Sequence, residues 1–167
     1  MQVPENLKSG VYAFRLTAGS TSVLGQEHIV FFVRPAKPTS KLCFLVPTAS
    51  YLAYANEKLS FDAQIIQPMT GQPPVITDVD IEIYKNREYG LSTYDSYEDG
   101  AGVSFSSYKR PIVNMRPKYR ISSMNIPWQF PADLSIIGWL EASNYDYDII
   151  TDEDLHKEGL SALEPYN

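Results

Sequence analysis

The chain has 167 residues, 44% apolar and 20% charged, which suits one ordinary domain with a hydrophobic core and excludes a disordered chain. Its formal net charge of −6 argues against a nucleic-acid partner, since displacing counterions from phosphates takes an excess of cations. The short basic groups Tyr108-Lys109-Arg110 and Arg116-Pro117-Lys118-Tyr119-Arg120 read as solvated patches.

Met1 to Gly10 is polar and has no apolar core for a signal peptide, and no window approaches the ~18 apolar residues of a membrane span. The single cysteine, Cys43, rules out an intrachain disulfide, so the cytoplasm is the expected compartment and no membrane partner is expected.

Ser9 to Thr17 reads as a strand, with Tyr12, Phe14 and Leu16 on one face and Arg15 on the other. Gln26 to Arg34 does the same, with Ile29, Phe31 and Val33 on one face and Phe32 opposite. Ala18 to Ser22 between them is turn chemistry, which predicts a β-hairpin. Pro35-Ala36-Lys37-Pro38-Thr39 then ends the sheet. A lone hairpin is marginal in water. Because large apolar residues stand on both its faces, residues 1–38 are expected to be the last strands of a β-sandwich.

Lys41 to Val46 is a continuous apolar run, as in a strand buried on both faces of a parallel sheet. Cys43 lies inside it as a small hydrophobe. Asp78 to Tyr84 alternates Val79, Ile81 and Ile83 with Asp78, Asp80 and Glu82, which predicts a strand. Glu88 to Tyr119 is rich in Gly, Ser, Tyr and Asp without periodicity, a loop long enough to be functional.

The clearest helix begins at Phe130-Pro131, with Asp133 in its first turn and Asn144 at its end. Phe130, Leu134 and Ile137 form its apolar face, widened by Ile136, Trp139 and Leu140. Tyr145 to Ile150 reads as a strand, and Thr151 with Asp154 caps a short helix closed by Gly159. Leu163 to Asn167 reads as the approach to a further strand. This order of elements is the grammar of an open α/β sheet over residues 39–167, and the chain reads as a segment of a longer one.

Candidate chemistry is narrow. No nucleophile elbow, zinc-protease helix, paired-cysteine motif or phosphate loop is present. His28 and His156 fit structural histidines, and Asp152-Glu153-Asp154 fits a helix start rather than a metal cluster. With twelve tyrosines against two histidines and one cysteine, any metal site here would draw on oxygen donors. Two tyrosine-bearing stretches stand out: Ser50 to Glu57, directly after the predicted buried strand where α/β sheets bind ligands, and Tyr89 to Gly100. On residue type alone these tyrosines fit packing as well as chemistry.

The segments VPTASYLAYANE, YGLSTYDSYEDGAGVSFSS, RPIVNMRPKYR, PWQFPADLSIIGWLEA and YDYDIITDEDLHKEG, taken in this order, resemble the large (beta) subunit of the N,N-dimethylformamidase family. VPENLKSGVYAFRL with HIVFFVRP resembles the end of that family's preceding β-sandwich. The resemblance implies a glutamine-amidotransferase-like α/β sheet, a mononuclear Fe(III) centre held by two tyrosines and a glutamate, and hydrolysis of small amides such as N,N-dimethylformamide to amine and formate. By position it assigns Tyr54 and Tyr94 as the tyrosine ligands, with Tyr51 and Tyr89 as neighbours in the same motifs. Ser50 is assigned to the catalytic pocket. The glutamate is implied beyond Asn167, so these 167 residues alone are expected to be inactive. A small subunit, a homo-oligomeric assembly and a small amide substrate are the implied partners. Where the family pattern often has histidine, this chain has Tyr97. A non-catalytic binding or assembly module, or a hydrolase of another amide or a sugar-derived substrate, could use the same scaffold.

Overall fold

A computed structural model describes residues 4, 6–20, 23–58 and 63–166, apart from the side chains of 20, 23–25 and 63–65. In chain order its elements are β1 (Gly10–Ser20), β2 (Val23–Val33), β3 (Cys43–Val46), α1 (Thr48–Ala53), α2 (Ala63–Thr70), α3 (Asp78–Lys85), β4 (Arg120–Ile121), β5 (Ile126–Pro127), α4 (Phe130–Ala142), β6 (Asp148–Thr151) and α5 (Asp152–Glu158). They divide into two compact units, Met1–Ala49 with Ser135–Asn167, and Ser50–Leu134.

In the first unit β1 and β2 pair antiparallel, with Tyr12 opposite Phe31 and Phe14 opposite Ile29. One face of the ribbon therefore carries Tyr12, Phe14 and Phe31, since side chains alternate along a strand. The Phe14 and Phe31 rings stack at 4.6 Å and Tyr12 and Phe31 at 5.7 Å. Leu16 and Ile29 stay exposed. Thr21 and Ser22 of the predicted turn lie outside the described residues.

β3 and β6 pair in parallel, Phe44 beside Ile149 and Leu45 beside Ile150. Here β6 is the buried strand: Ile149 and Ile150 are buried, whereas Cys43, Phe44 and Leu45 are only half-buried. Asp148, at 0% exposure, starts β6. Its carboxylate accepts the Thr39 N–H and hydroxyl, each at 2.7 Å, the Ser40 N–H at 3.1 Å and the Tyr166 hydroxyl at 3.2 Å. The Ser9 hydroxyl donates to Val33 O at 2.9 Å and accepts from Ile149 N–H at 2.8 Å, which ties the ribbon to β6. Arg34 adds a two-pronged pair to Glu158 on α5 at 2.5 and 2.6 Å.

The predicted helix from Phe130 forms as α4, and Asn144, at φ 56°, takes the left-handed position that ends it. Its apolar stripe is narrower than the sequence suggests. Ile137 and Leu140 are buried, but Ile136 and Trp139 are exposed, and Trp139 packs on Tyr145 with ring centres 5.5 Å apart. Thr151 caps α5 as its spacing to Asp154 predicts, and Gly159 ends it at φ 60°.

One predicted strand is corrected. Asp78 to Tyr84 is the helix α3, because Thr77 and Asp80 form a capping box: Asp80 accepts the Thr77 N–H at 2.8 Å and its hydroxyl at 2.5 Å. Helical geometry leaves Ile83 buried and turns Ile81 outward. Glu164–Tyr166 forms a 3₁₀ turn. Its Tyr166 donates to Asp148, which fixes the turn. The short helices α1 and α2 and the β4–β5 ribbon have no counterpart in the sequence reading.

Candidate functional site

Both tyrosine-bearing stretches belong to the second unit. Tyr54 follows the last residue of α1, one turn beyond Ser50, whose carbonyl accepts the Tyr54 N–H at 3.2 Å. The chain then reverses through Asn56 at φ 58°, a left-handed conformation that asparagine tolerates better than most residues. Asn56 is fully buried and fully used. Its Oδ1 accepts the Val113 N–H at 2.7 Å, and its Nδ2 donates to Pro111 O at 2.8 Å and Tyr89 O at 3.3 Å. Its own N–H donates to Asn114 Oδ1 at 3.1 Å, and Asn114 Nδ2 donates to Tyr54 O at 2.7 Å.

Tyr94 comes from the long irregular segment, which is held by side chains in place of a regular hydrogen-bond ladder. Thr93 donates both its N–H (3.1 Å) and its hydroxyl (3.0 Å) to Ala53 O. Asp95 Oδ1 accepts the Lys58 N–H and Asp95 Oδ2 the Ser92 N–H, each at 2.8 Å. Beside them Arg110 spans Tyr89 O at 2.5 Å, Ala55 O at 3.0 Å and Ser107 O at 2.7 Å. Burial lowers its pKa, partly offset by Asp95. Gly90, at φ 75°, permits that approach: a Cβ there would lie 2.7 Å from Arg110 Nη1.

The outcome is a stacked pair. The Tyr54 and Tyr94 rings lie 3.9 Å apart at 14°, and Trp128 meets Tyr54 edge-on at 5.9 Å. Hydrogen bonding toward the Tyr94 phenol, then burial and the nearby Tyr94 and Glu57 charges, push the Tyr54 pKa up to about 12. Glu57 is 4% exposed. It also raises Tyr119, whose pKa goes up mainly through burial and secondarily through Glu57 and Asp80. Among the described residues Trp128 Nε1 is buried without a hydrogen-bond partner.

Ser50 is exposed, four residues before Tyr54. Tyr51 turns away from the pair: it is buried, donates to Asp133 Oδ2 at 2.6 Å and meets Phe130 edge-on. Tyr89 donates to Glu82 at 3.1 Å. Tyr97 is half exposed, its N–H bonded to Ala101 O at 2.8 Å. In the first unit His28 stands opposite Arg15 in the ribbon. Asp152, Glu153 and Asp154 are occupied as a helix start, accepting from Ala49 N–H, the Thr48 hydroxyl and Thr151 respectively. The residue-level reading singled out the stretches that hold Asn56, Glu57, Thr93 and Asp95 without giving those four a role, and it missed Asn114 and Trp128. The spacing Ser92-x-x-Asp95, a turn signature, is the one local signal that could have singled out any of them.

Two phenols stacked ring against ring carry hard oxygen donors that, deprotonated, suit a trivalent cation. The residues present therefore fit two positions of the implied ferric site. Among the described residues no group of three or more His, Cys, Asp and Glu side chains is placed to hold a metal.

The family model described as N,N-dimethylformamidase beta subunit-like, C-terminal matches residues 1–167. The N,N-dimethylformamidase beta subunit of Paracoccus aminophilus is 44% identical over 168 residues, 99% of this chain and 21% of its own length. That of an Alcaligenes species is 44% identical over 167 residues, 98% of this chain and 21% of its own length. The chain thus spans about a fifth of the length of these relatives. Matched from end to end by that model, it belongs to the N,N-dimethylformamidase beta subunit-like, C-terminal family.

Proposed function

We propose that the chain is part of an iron-dependent amide hydrolase that cleaves small N-substituted amides, such as N,N-dimethylformamide, to amine and formate. The stacked Tyr54–Tyr94 pair carries this reading. Two phenols forty positions apart in sequence, in separate irregular segments, stack with ring centres 3.9 Å apart. Kinship with N,N-dimethylformamidase beta subunits supplies the substrate class.

In this reading Tyr54 and Tyr94, as phenolates, hold two positions on a mononuclear Fe(III), and a glutamate beyond Asn167 holds the third. When bound, the ion supplies Lewis acidity toward an amide carbonyl or a water molecule. Ser50, one turn before Tyr54, hydrogen-bonds substrate at the mouth of the site. Trp128 walls the phenol pair on its edge and limits water there. Glu57 adds negative potential that favours a cation over neutral phenols. Tyr97, in the exposed part of the loop, is a candidate for tuning which amide fits.

The wider architecture belongs to the same proposal. Residues 1–38 close a β-sandwich, which the exposed Leu16 and Ile29 favour by offering apolar surface to a partner sheet. Residues 39–167 begin a glutamine-amidotransferase-like catalytic domain, which the parallel β3–β6 pair favours. A small subunit, a homo-oligomeric assembly and a cytoplasmic setting complete it.

The test uses the full-length protein with its partners. N,N-dimethylformamide hydrolysis and iron per chain are measured for wild type, Tyr54→Phe and Tyr94→Phe. Loss of both iron and turnover in each variant is expected. An iron-replete, fully active Tyr94→Phe protein would remove the ligand assignment, and an iron-free, inactive wild type would favour a binding module.

A further inference from the structure

Tyr94 sits in a segment with almost no regular secondary structure, yet the stacked pair demands that its ring be placed to within fractions of an ångström. The hydrogen bonds around it account for that. Thr93, the residue before, bonds Ala53 O twice, at 3.1 and 3.0 Å, and Ala53 is the residue before Tyr54. Asp95, the residue after, receives the Lys58 N–H at 2.8 Å, beyond Tyr54 on the other side. The second Asp95 oxygen receives Ser92 N–H at 2.8 Å, and Ser92 Oγ, wholly buried, receives Tyr94 N–H at 3.1 Å. Tyr94 is therefore straddled by two anchors to the backbone that straddles Tyr54.

We infer that Asp95, with Thr93, is the positioning device for the phenol pair: a clamp that sets the Tyr94 ring against the Tyr54 ring before any ligand arrives. Neither residue touches a metal or substrate. The inference rests on the ferric-site reading for its purpose, but the placement of the two rings can be tested without metal.

The chemistry of Asp95 makes the claim specific. It accepts N–H bonds on both oxygens, so an asparagine can keep only one of them, because its amide nitrogen would face a donor. Asp95→Ala removes both. Thr93→Val is nearly isosteric and removes only the hydroxyl bond. Residues that orient metal ligands without binding the metal typically change its affinity by roughly 10–100-fold when removed.

Two readouts on the full-length protein decide the matter. In the metal-free form, prepared by chelation, one-electron photo-oxidation with tris(bipyridyl)ruthenium(II) and persulfate converts phenols to phenoxyl radicals. Two that touch lose their ring hydrogens and join carbon to carbon, and mass spectrometry identifies the Tyr54–Tyr94 cross-linked peptide. Ferric binding to the same proteins is then titrated. Wild type should give the Tyr54–Tyr94 cross-link. Asp95→Ala should lose most of it and bind Fe(III) about 10–100-fold more weakly, with Asp95→Asn and Thr93→Val in between. Thr151→Ala, which weakens the α5 cap in the first unit, controls for general loss of stability and should leave the cross-link unchanged. If Asp95→Ala does not fold, Asp95→Asn and Thr93→Val carry the test. Wild-type cross-linking and wild-type ferric affinity in the folded Asp95 and Thr93 variants would overturn the clamp. A wild type that cross-links but binds no Fe(III) would sink the ferric reading while leaving the clamp to be judged on the cross-link.

Discussion

Asn56 combines a left-handed backbone with an amide group whose donors and acceptor are all engaged: Val113 N–H, Pro111 O and Tyr89 O. Replacing it by alanine strains the backbone and takes the Asn56 partner from the Val113 N–H and the Pro111 carbonyl, while Tyr89 O keeps Arg110. Asn56→Ala should therefore cost about 2–4 kcal/mol of unfolding free energy in denaturant titration. Asn56→Gly should recover the backbone share of that loss but not the hydrogen bonds. At this scale the sequence was partly legible. The resemblance implied Tyr54 and Tyr94 as a pair, whereas the residues themselves left each of them open between packing and chemistry. No periodicity reports that two residues forty positions apart in irregular segments will stack. The clamp and the Asn56–Asn114 exchange were invisible for the same reason, since they are side-chain-to-backbone bonds whose partners only the fold brings together.

Capping decided several elements, and it is where sequence patterns both succeeded and failed. Thr151 and Asp154 announced α5, and Pro131 and Asn144 bounded α4. The same box at Thr77 and Asp80 was overlooked because the strict alternation of Val79, Ile81 and Ile83 imitates a strand. Thr77→Ala should destabilise α3 by about 1 kcal/mol, read as a lower unfolding midpoint, with little loss if the segment were extended. In the first unit Asp148 does comparable work for β6. Burial raises its pKa, but the bonds from Thr39, Ser40 and Tyr166 outweigh that and hold the carboxyl below the usual range. A depressed carboxylate contributes stability that is present above its unfolded pKa of about 3.9 and lost as pH falls through the lower folded value. Asp148→Asn should cost about 1–3 kcal/mol at neutral pH. The gap from wild type should narrow as the pH drops below about 4; a gap independent of pH would mean that the charge plays no part.

For the molecule as a whole, kinship and geometry bear on different parts of the account. Kinship places the chain in its family over all 167 residues, within relatives of which it spans 21%. Geometry supplies what kinship does not, namely how an aperiodic loop delivers one phenol onto another. Tyrosinate bound to Fe(III) absorbs visible light through ligand-to-metal charge transfer, which colourless phenols cannot do. The central claim is therefore tested most directly by the visible spectrum of the purified full-length protein beside that of its Tyr94→Phe variant. A coloured wild type whose band fades on chelation, and weakens or vanishes with Tyr94→Phe, is the predicted result. Iron-loaded wild type without a visible band, or a band unchanged in both Tyr54→Phe and Tyr94→Phe, would contradict the assignment of these tyrosines as ligands.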